Sequence, residues 1–421
     1  MMVNKQYLVR YKGYENIIQL PSKINSFIIT HFASAINEWE KRKRYERPLI
    51  IDFSAVRFPY SNGMLAIIAI VTKLKSEGQE IRIRLPNDKN VRDLFVRTNW
   101  AYFLNSEFGR SQLGYDRHLH TRQFNDYKEV ATITNDFMDV VLRSMYIPKD
   151  IVSALEWSIY EICDNVINHS NSKVGGFVEA VTYSKERRIS FSVADSGRGI
   201  LNSLKEGLPN LNTNVQAIGE AIKSGVTRNK DAGQGNGLAG SLRITTMSGG
   251  SIDITSGSGR IYCTSNHSSE VEGERNDFFY GTSVSGQIVM SNNFSIGKAL
   301  EFNGVEYIPL NIIDTQYEAE DEDTLIINMN KETTGVGTRK AGKQLRVKTL
   351  NLIASKPGYP INVDWTSIPV ISSSFADEFM GKLFVELGQF KFNSSIRNKN
   401  MEVLIQQLLD KAISQRLAQG K

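Results

Sequence analysis

Residues 161–170 read EICDNVINHS. The apolar positions around them indicate a helix. Val152, Leu155, Ile159, Ile162 and Val166 recur at intervals of three and four, the spacing that builds one buried stripe. Glu161, Asn165 and His169 follow at intervals of four, so on an α-helix they form a polar row at the edge of that stripe. Asp164 adds a second carboxylate. On one helix alone, such a row is accounted for by solvation.

The residues downstream change its meaning. VADSGRGI (193–200) ends a strand in Asp195 and two glycines, Gly197 and Gly199. AGQGNGLAGS (232–241) then places Gly233, Gly235 and Gly237 ahead of the helix-like LAGSLRITTM. Glycines before a helix let backbone N–H groups approach phosphates and set an anion at the positive helix end. A single glycine turn is common. Two of them in order, behind Glu-x-x-x-Asn and before GTSVSGQI, form a much more specific pattern.

Composition bounds the rest. The chain has 421 residues, 41% hydrophobic and 23% charged, as expected of a globular protein with two to four domains. The longest apolar run, Met64–Val71, falls far short of the roughly 20 residues that span a bilayer. The N-terminus, MMVNKQYLVRYKG, lacks a signal-peptide pattern. Cys163 and Cys263 are the only cysteines, so a disulfide framework or a four-ligand zinc site is not supported. A cytoplasmic protein without membrane association is the expectation. The net charge of +5 is mild. The run KRKR (Lys41–Arg44) reads as a solvated helix end, where cations suit the dipole. No aromatic interleaving marks it as a nucleic-acid surface.

The expected fold class is α/β multidomain. Residues 1–122 alternate strands and helices: NIIQL, a helix over 24–42, PLIIDFSAV, a helix from Ser61, EIRIRLP, then the helical NVRDLFVRTNW. Residues 123–295 open with helices and continue in strands. GGFVEAVTY and RISFSVAD flank the turn SKER as a hairpin, and GGSIDITS, GRIYCT and GTSVSGQIVM follow. This order suggests an α/β sandwich with its helices on one face. Residues 296–334, with the acidic YEAEDED (Tyr317–Asp323), read as a linker. Residues 335–421 alternate again. IDFSAVRFPYSNG from Ile51 and VDWTSIPVISSSF from Val363 share a pattern, a buried strand delivering a Ser-capped helix, which raises the prospect of a duplication.

Residues 150–292 resemble the GHKL ATPase domain shared by DNA gyrase, mismatch-repair ATPases, histidine kinases and anti-sigma-factor kinases. EICDN matches the N box, DSGRG the first glycine box, GQGNGL the second, and GT the Gly281–Thr282 pair. The resemblance implies ATP and Mg²⁺ as ligands. It gives Glu161 the role of general base and Asn165 that of Mg²⁺ ligand through the phosphates. Asp195 would accept the adenine amino group, with Thr282 supporting it. Gly197 and Gly199 would let the chain pass close to the base. Gly233, Gly235, Asn236, Gly237 and Leu238 would form the phosphate cradle. Between the boxes the family places its nucleotide lid, with Thr227, Arg228 and Lys230 as candidates for closing on the phosphates. No transducer lysine of the gyrase kind is evident, which implies slow hydrolysis.

Residues 7–120 resemble the STAS fold of anti-anti-sigma proteins, chiefly through LIIDFSAVRFPYSNGMLAI. Ser61 stands where that family has its phosphoacceptor and Gly63 keeps the glycine, but Tyr60 replaces the preceding Asp. Residues 335–421 resemble a STAS-like domain of unknown function through VDWTSIPVISSSFADEF. In that stretch Asp377 and Glu378 are partner contacts or simple surface residues. A central GHKL-type sandwich with a STAS-like domain on each side is therefore expected, with protein partners engaged through the flanks and a homodimer as the family precedent. Three readings follow: an ATPase acting as a nucleotide-driven switch in bacterial-type signalling or stress response, a serine protein kinase of the anti-sigma kind, or a nucleotide-gated interaction module without turnover. Keeping both Glu161 and Asn165 favours a reading with chemistry.

Overall fold

The computed structural model describes residues 9–42, 48–109, 118–223, 237–274, 277–291, 293–319, 323–332 and 336–418. The chain forms two compact units, Met1–Phe137 with Trp157–Tyr307, and Met138–Glu156 with Ile308–Lys421. Among the described residues no helix is long and apolar enough to cross a membrane.

The first unit begins with β1 (Arg10–Lys12), β2 (Ile17–Gln19), β3 (Lys23–Ile24), α1 (Ile29–Lys41), β4 (Leu49–Asp52), β5 (Phe58–Pro59), α2 (Ser61–Ser76), β6 (Ile81–Arg84), α3 (Lys89–Arg97) and α4 (Trp100–Leu104). Strands β2, β4 and β6 are parallel, with β1 antiparallel at the edge, and β3 pairs with β5 separately. Helix α2 is apolar nearly all round: Met64 through Val71 are buried without a break. A helix with no polar face must be covered on both sides.

The covering partner is the second sheet of the same unit. β7 (His118–Phe124), α5 (Tyr127–Ser144) and α6 (Lys149–Asn165) lead into the hairpin β8 (Gly176–Tyr183) and β9 (Arg188–Asp195). α7 (Gly199–Leu204), α8 (Asn214–Ala221) and α9 (Gly237–Met247) precede β10 (Ser251–Gly257), β11 (Gly259–Thr264), β12 (Ser268–Glu272), β13 (Phe279–Val289) and α10 (Ile296–Ala299). The strands form one antiparallel sheet in the order β12-β11-β10-β13-β9-β8-β7. α9 lies against β10 and β13 on one face, and α2 packs on β8, β9 and β13.

The sequence pattern predicts the helices of 123–295 on one face of this sheet; the other face is covered by α2, from the N-terminal layer. Side chains alternate between faces along a strand. On β9, Phe191 and Asp195 point one way, while Ser192 points toward α2, where its hydroxyl meets that of Ser61 at 3.5 Å. Such polar alternation reads as a solvated face, yet here the residues are buried and paired. Glu179 on β8 accepts hydrogen bonds from Trp100 Nε1 (2.7 Å) and Thr121 Oγ1 (2.6 Å). Asp253 on β10 accepts from the Ser26 hydroxyl at 2.6 Å and pairs with Arg260 at 2.8 Å. Burying polar groups without partners is costly, so these contacts fix how the N-terminal layer sits on the sheet.

In the second unit, β14 (Leu325–Asn328), α11 (Met329–Glu332), α12 (Arg339–Ser355), β15 (Ile361–Asp364), α13 (Ser373–Ala376), α14 (Lys382–Leu387), α15 (Gln389–Ser395), β16 (Ile396–Lys399) and α16 (Val403–Ala418) surround a parallel sheet, β14-β15-β16. β14 lies inside the stretch expected as a linker, and the expected boundary at 122/123 falls within β7. Lys348 of α12 is fully buried and its ammonium is held by Asp139 and Glu332. Burial lowers its pKa to about 8 against the pull of Asp139.

The pattern shared by β4 and β15 extends to hydrogen bonds. Asp52 and Asp364 each accept from the N–H two residues on, at 2.8 Å from Ser54 and 3.0 Å from Thr366. The next aromatic, Phe53 or Trp365, donates its N–H to the last residue of the adjoining parallel strand, Arg84 or Lys399. The expected serine cap holds only after β15. Ser372 caps α13 by accepting from Phe375 N at 3.0 Å, whereas the N-cap of α2 is Tyr60, without a side-chain bond.

Candidate functional site

α6 ends at Asn165, and the chain continues through a π-turn, Val166–Ser170. Glu161 and Asn165 lie inside α6 and stay one α-turn apart. The wider π-turn takes His169 off the expected row. What faces the pair is the start of α9: a Cβ added to Gly237 would lie 2.5 Å from Glu161 Oε2 and 3.5 Å from Asn165 Nδ2. Leu238 follows in the first turn of α9. Thr227, Arg228, Lys230, Gly233, Gly235 and Asn236 lie outside the described residues.

Burial, and then the charge of Asp164, push the Glu161 carboxyl up to about 7. Asp164 is itself raised by burial and accepts from Asn168 Nδ2 at 2.8 Å. The Tyr127 hydroxyl donates to Asn168 in turn. A half-buried carboxyl poised near neutrality, with a second acid fixed beside it, suits a general base.

Asp195 ends β9 at 2% exposure. Its Oδ1 accepts from Gly197 N–H at 2.7 Å. Burial pushes the carboxyl up to about 7, against the backbone N–H groups of Gly197 and Thr282 and the charge of Lys73. A deeply buried acid with few donors favours a ligand that brings one more. Gly197 is required here by close approach: a Cβ on it would lie 2.1 Å from Ser170 O. Arg198 N–H donates to that same carbonyl at 2.8 Å, and Gly199 follows at φ +74°. Thus the end of the Glu161–Asn165 segment is tied to the turn after Asp195. Thr282 is the register partner of Asp195 on β13.

One buttress escaped the sequence reading. The Ser256 hydroxyl donates to Gly281 O at 2.9 Å, accepts from Ile200 N at 2.9 Å and lies 3.2 Å from Thr282 Oγ1. A serine at a strand end in ITSGSG carries no signal that would single it out.

Residues 152–279 match the family model described as Histidine kinase-, DNA gyrase B-, and HSP90-like ATPase. The matched span holds Glu161, Asn165, Asp195 and both glycine boxes, and Thr282 lies three residues beyond it. Neither the curated proteins nor the solved structures gave a match to the chain. The match supports a GHKL-type ATP-binding domain, of the ATPase and kinase fold, in the middle of the chain.

The donor set fits Mg²⁺ only as a partner of bound phosphates. Among the described residues no group of three or more His, Cys, Asp or Glu could hold a metal ion. A hard cation with few protein ligands needs oxygens from elsewhere, and the Asn165 amide beside Gly237 offers one.

Proposed function

We propose that the chain binds Mg-ATP between α6, the turn after β9 and the start of α9, and hydrolyses it slowly as a nucleotide-driven switch in signalling or stress response. The observation that carries this reading is the apposition of Gly237 with Glu161 and Asn165, two motifs far apart in sequence that meet at one point. Asn165 would contribute an amide oxygen to Mg²⁺. The metal, when bound with ATP, would neutralise charge on the phosphates. Glu161 would orient a water and take its proton. Asp195 would accept from the adenine amino group, with Thr282 and Ser256 holding its surroundings. Gly233, Gly235, Asn236, Gly237 and Leu238 would supply backbone donors to the phosphates, and Thr227 and Lys230 would close over them. The flanking layers are read as STAS-like domains that engage protein partners.

The kinase reading uses the same base, since Glu161 serves a serine hydroxyl as well as a water. The position of Ser61 supports the water reading instead. Its hydroxyl is half-buried against Ser192, across the sheet from the face that carries Asp195. A kinase would therefore need a serine other than Ser61 in this arrangement. The test is phosphate release by the full chain with Mg-ATP. Glu161→Ala should abolish release and keep nucleotide binding. Unchanged release in that variant removes Glu161 from the mechanism, and phosphate found on protein rather than in solution selects the kinase reading.

A further inference from the structure

The start of β13 has two sides. Phe278 O accepts from Asn37 Nδ2 of α1 at 3.1 Å. Phe279 is fully buried and belongs to the core formed by α1, α2 and their sheet. The Tyr280 ring stacks edge-on against Phe278, with centroids 4.8 Å apart, and Lys73 Nζ of α2 lies 5.4 Å from its centre. The next two residues belong to the candidate nucleotide site. Gly281 O takes the Ser256 hydroxyl, and Thr282 pairs with Asp195. The fit is tight: a Cβ on Gly281 would lie 2.1 Å from Asp195 O. Five consecutive residues thus run from the anchors of the N-terminal layer to the buried acid, and a shift at either end has no slack to absorb it.

We propose that Phe278–Thr282 couples the base-binding end of the nucleotide site to the seating of α1 and α2 on the central sheet, so that an adenine nucleotide tightens that seat. The proposal rests on the reading of Asp195 as the adenine acceptor. A ligand that settles Asp195 and Thr282 fixes Gly281, and through it the carbonyl and ring that Asn37 and Lys73 hold. Ser26–Asp253 and Glu179–Trp100 keep the N-terminal layer in place when one of these anchors is lost. Linkage makes the coupling reciprocal: loosening the seat must weaken the nucleotide by the factor with which the nucleotide tightens the seat.

The test uses the full chain and ADP with Mg²⁺. In wild type, saturating ADP should slow amide hydrogen exchange in residues 29–41 and 61–76. Asn37→Ala should weaken ADP roughly fivefold or more by calorimetry while circular dichroism stays that of wild type. Exchange that ignores ADP in wild type, a measurement that needs no variant, overturns the coupling. So does a folded Asn37→Ala protein that binds ADP as wild type does. Absence of binding heat in wild type would instead remove the nucleotide reading, and the coupling with it.

Discussion

Gly237→Ala offers a sharp probe because its effects on folding and on chemistry should separate. The new methyl carbon would sit 2.5 Å from Glu161 Oε2. Unstrained C···O contacts begin near 3.3 Å, so the carboxylate must retreat by roughly 0.8 Å. Asn165 Nδ2, at 3.5 Å, is already in ordinary contact and need not move. The colliding atom is the far end of a flexible side chain, and alanine favours the helix over glycine, so thermal stability should hold or rise slightly. Misplacing a reacting group by about 1 Å can cost on the order of 100-fold in rate, equivalent to about 2.7 kcal/mol of barrier. Single-turnover phosphate release should therefore fall by about that factor while ADP binds as in wild type. Wild-type turnover in a folded Gly237→Ala protein would refute the apposition of the two motifs as the seat of the chemistry.

Other perturbations follow from the charges. Glu161 must be ionised to act, so phosphate release should rise with pH and bend at about 7. Asp164→Asn removes the second cause of that raised value and should move the bend to lower pH. Glu179 is also pushed up to about 7 by burial. A raised folded value means the folded chain keeps a proton that the unfolded chain has lost. The stability from Glu179 is therefore complete below the ordinary carboxylate range and drains away as pH rises toward 7 and beyond. Urea midpoints of Glu179→Gln should consequently fall less between pH 5 and pH 8 than those of wild type, and an equal fall would contradict the assignment. Lys348→Met leaves Glu332 without its buried cation while Asp139 retains Arg143 at 2.8 Å, so it should cost about 3 kcal/mol. A midpoint within error of wild type would show that the pair contributes nothing.

Strong local patterns made much of this chain legible. The stripe from Val152 to Val166 marks α6, the turn at SKER marks the β8–β9 hairpin, and Gly197 after Asp195 and Gly237 ahead of Leu238 mark close approach. What the sequence concealed depends on distant partners. Ser192, Asp253 and Glu179 alternate with apolar residues as a solvated face would, and only Ser61, Ser26 and Trp100, far away in the chain, show why they are buried. The π-turn after Asn165 leaves no trace in composition, so the four-residue spacing alone carries the row on to His169. β14 is four residues long, too short to display a period, and it follows an acidic run that looks like a boundary. Ser256 acts on Gly281 through tertiary geometry alone.

The central claim is that an adenine base is held by Asp195. Calorimetry of the full chain with Mg²⁺ tests it most directly, titrating ADP and GDP into wild type and into Asp195→Ala. ADP should give heat with wild type, GDP little or none, and the variant should lose ADP. Equal heats for both nucleotides, or an Asp195→Ala protein that binds ADP unchanged, would contradict it.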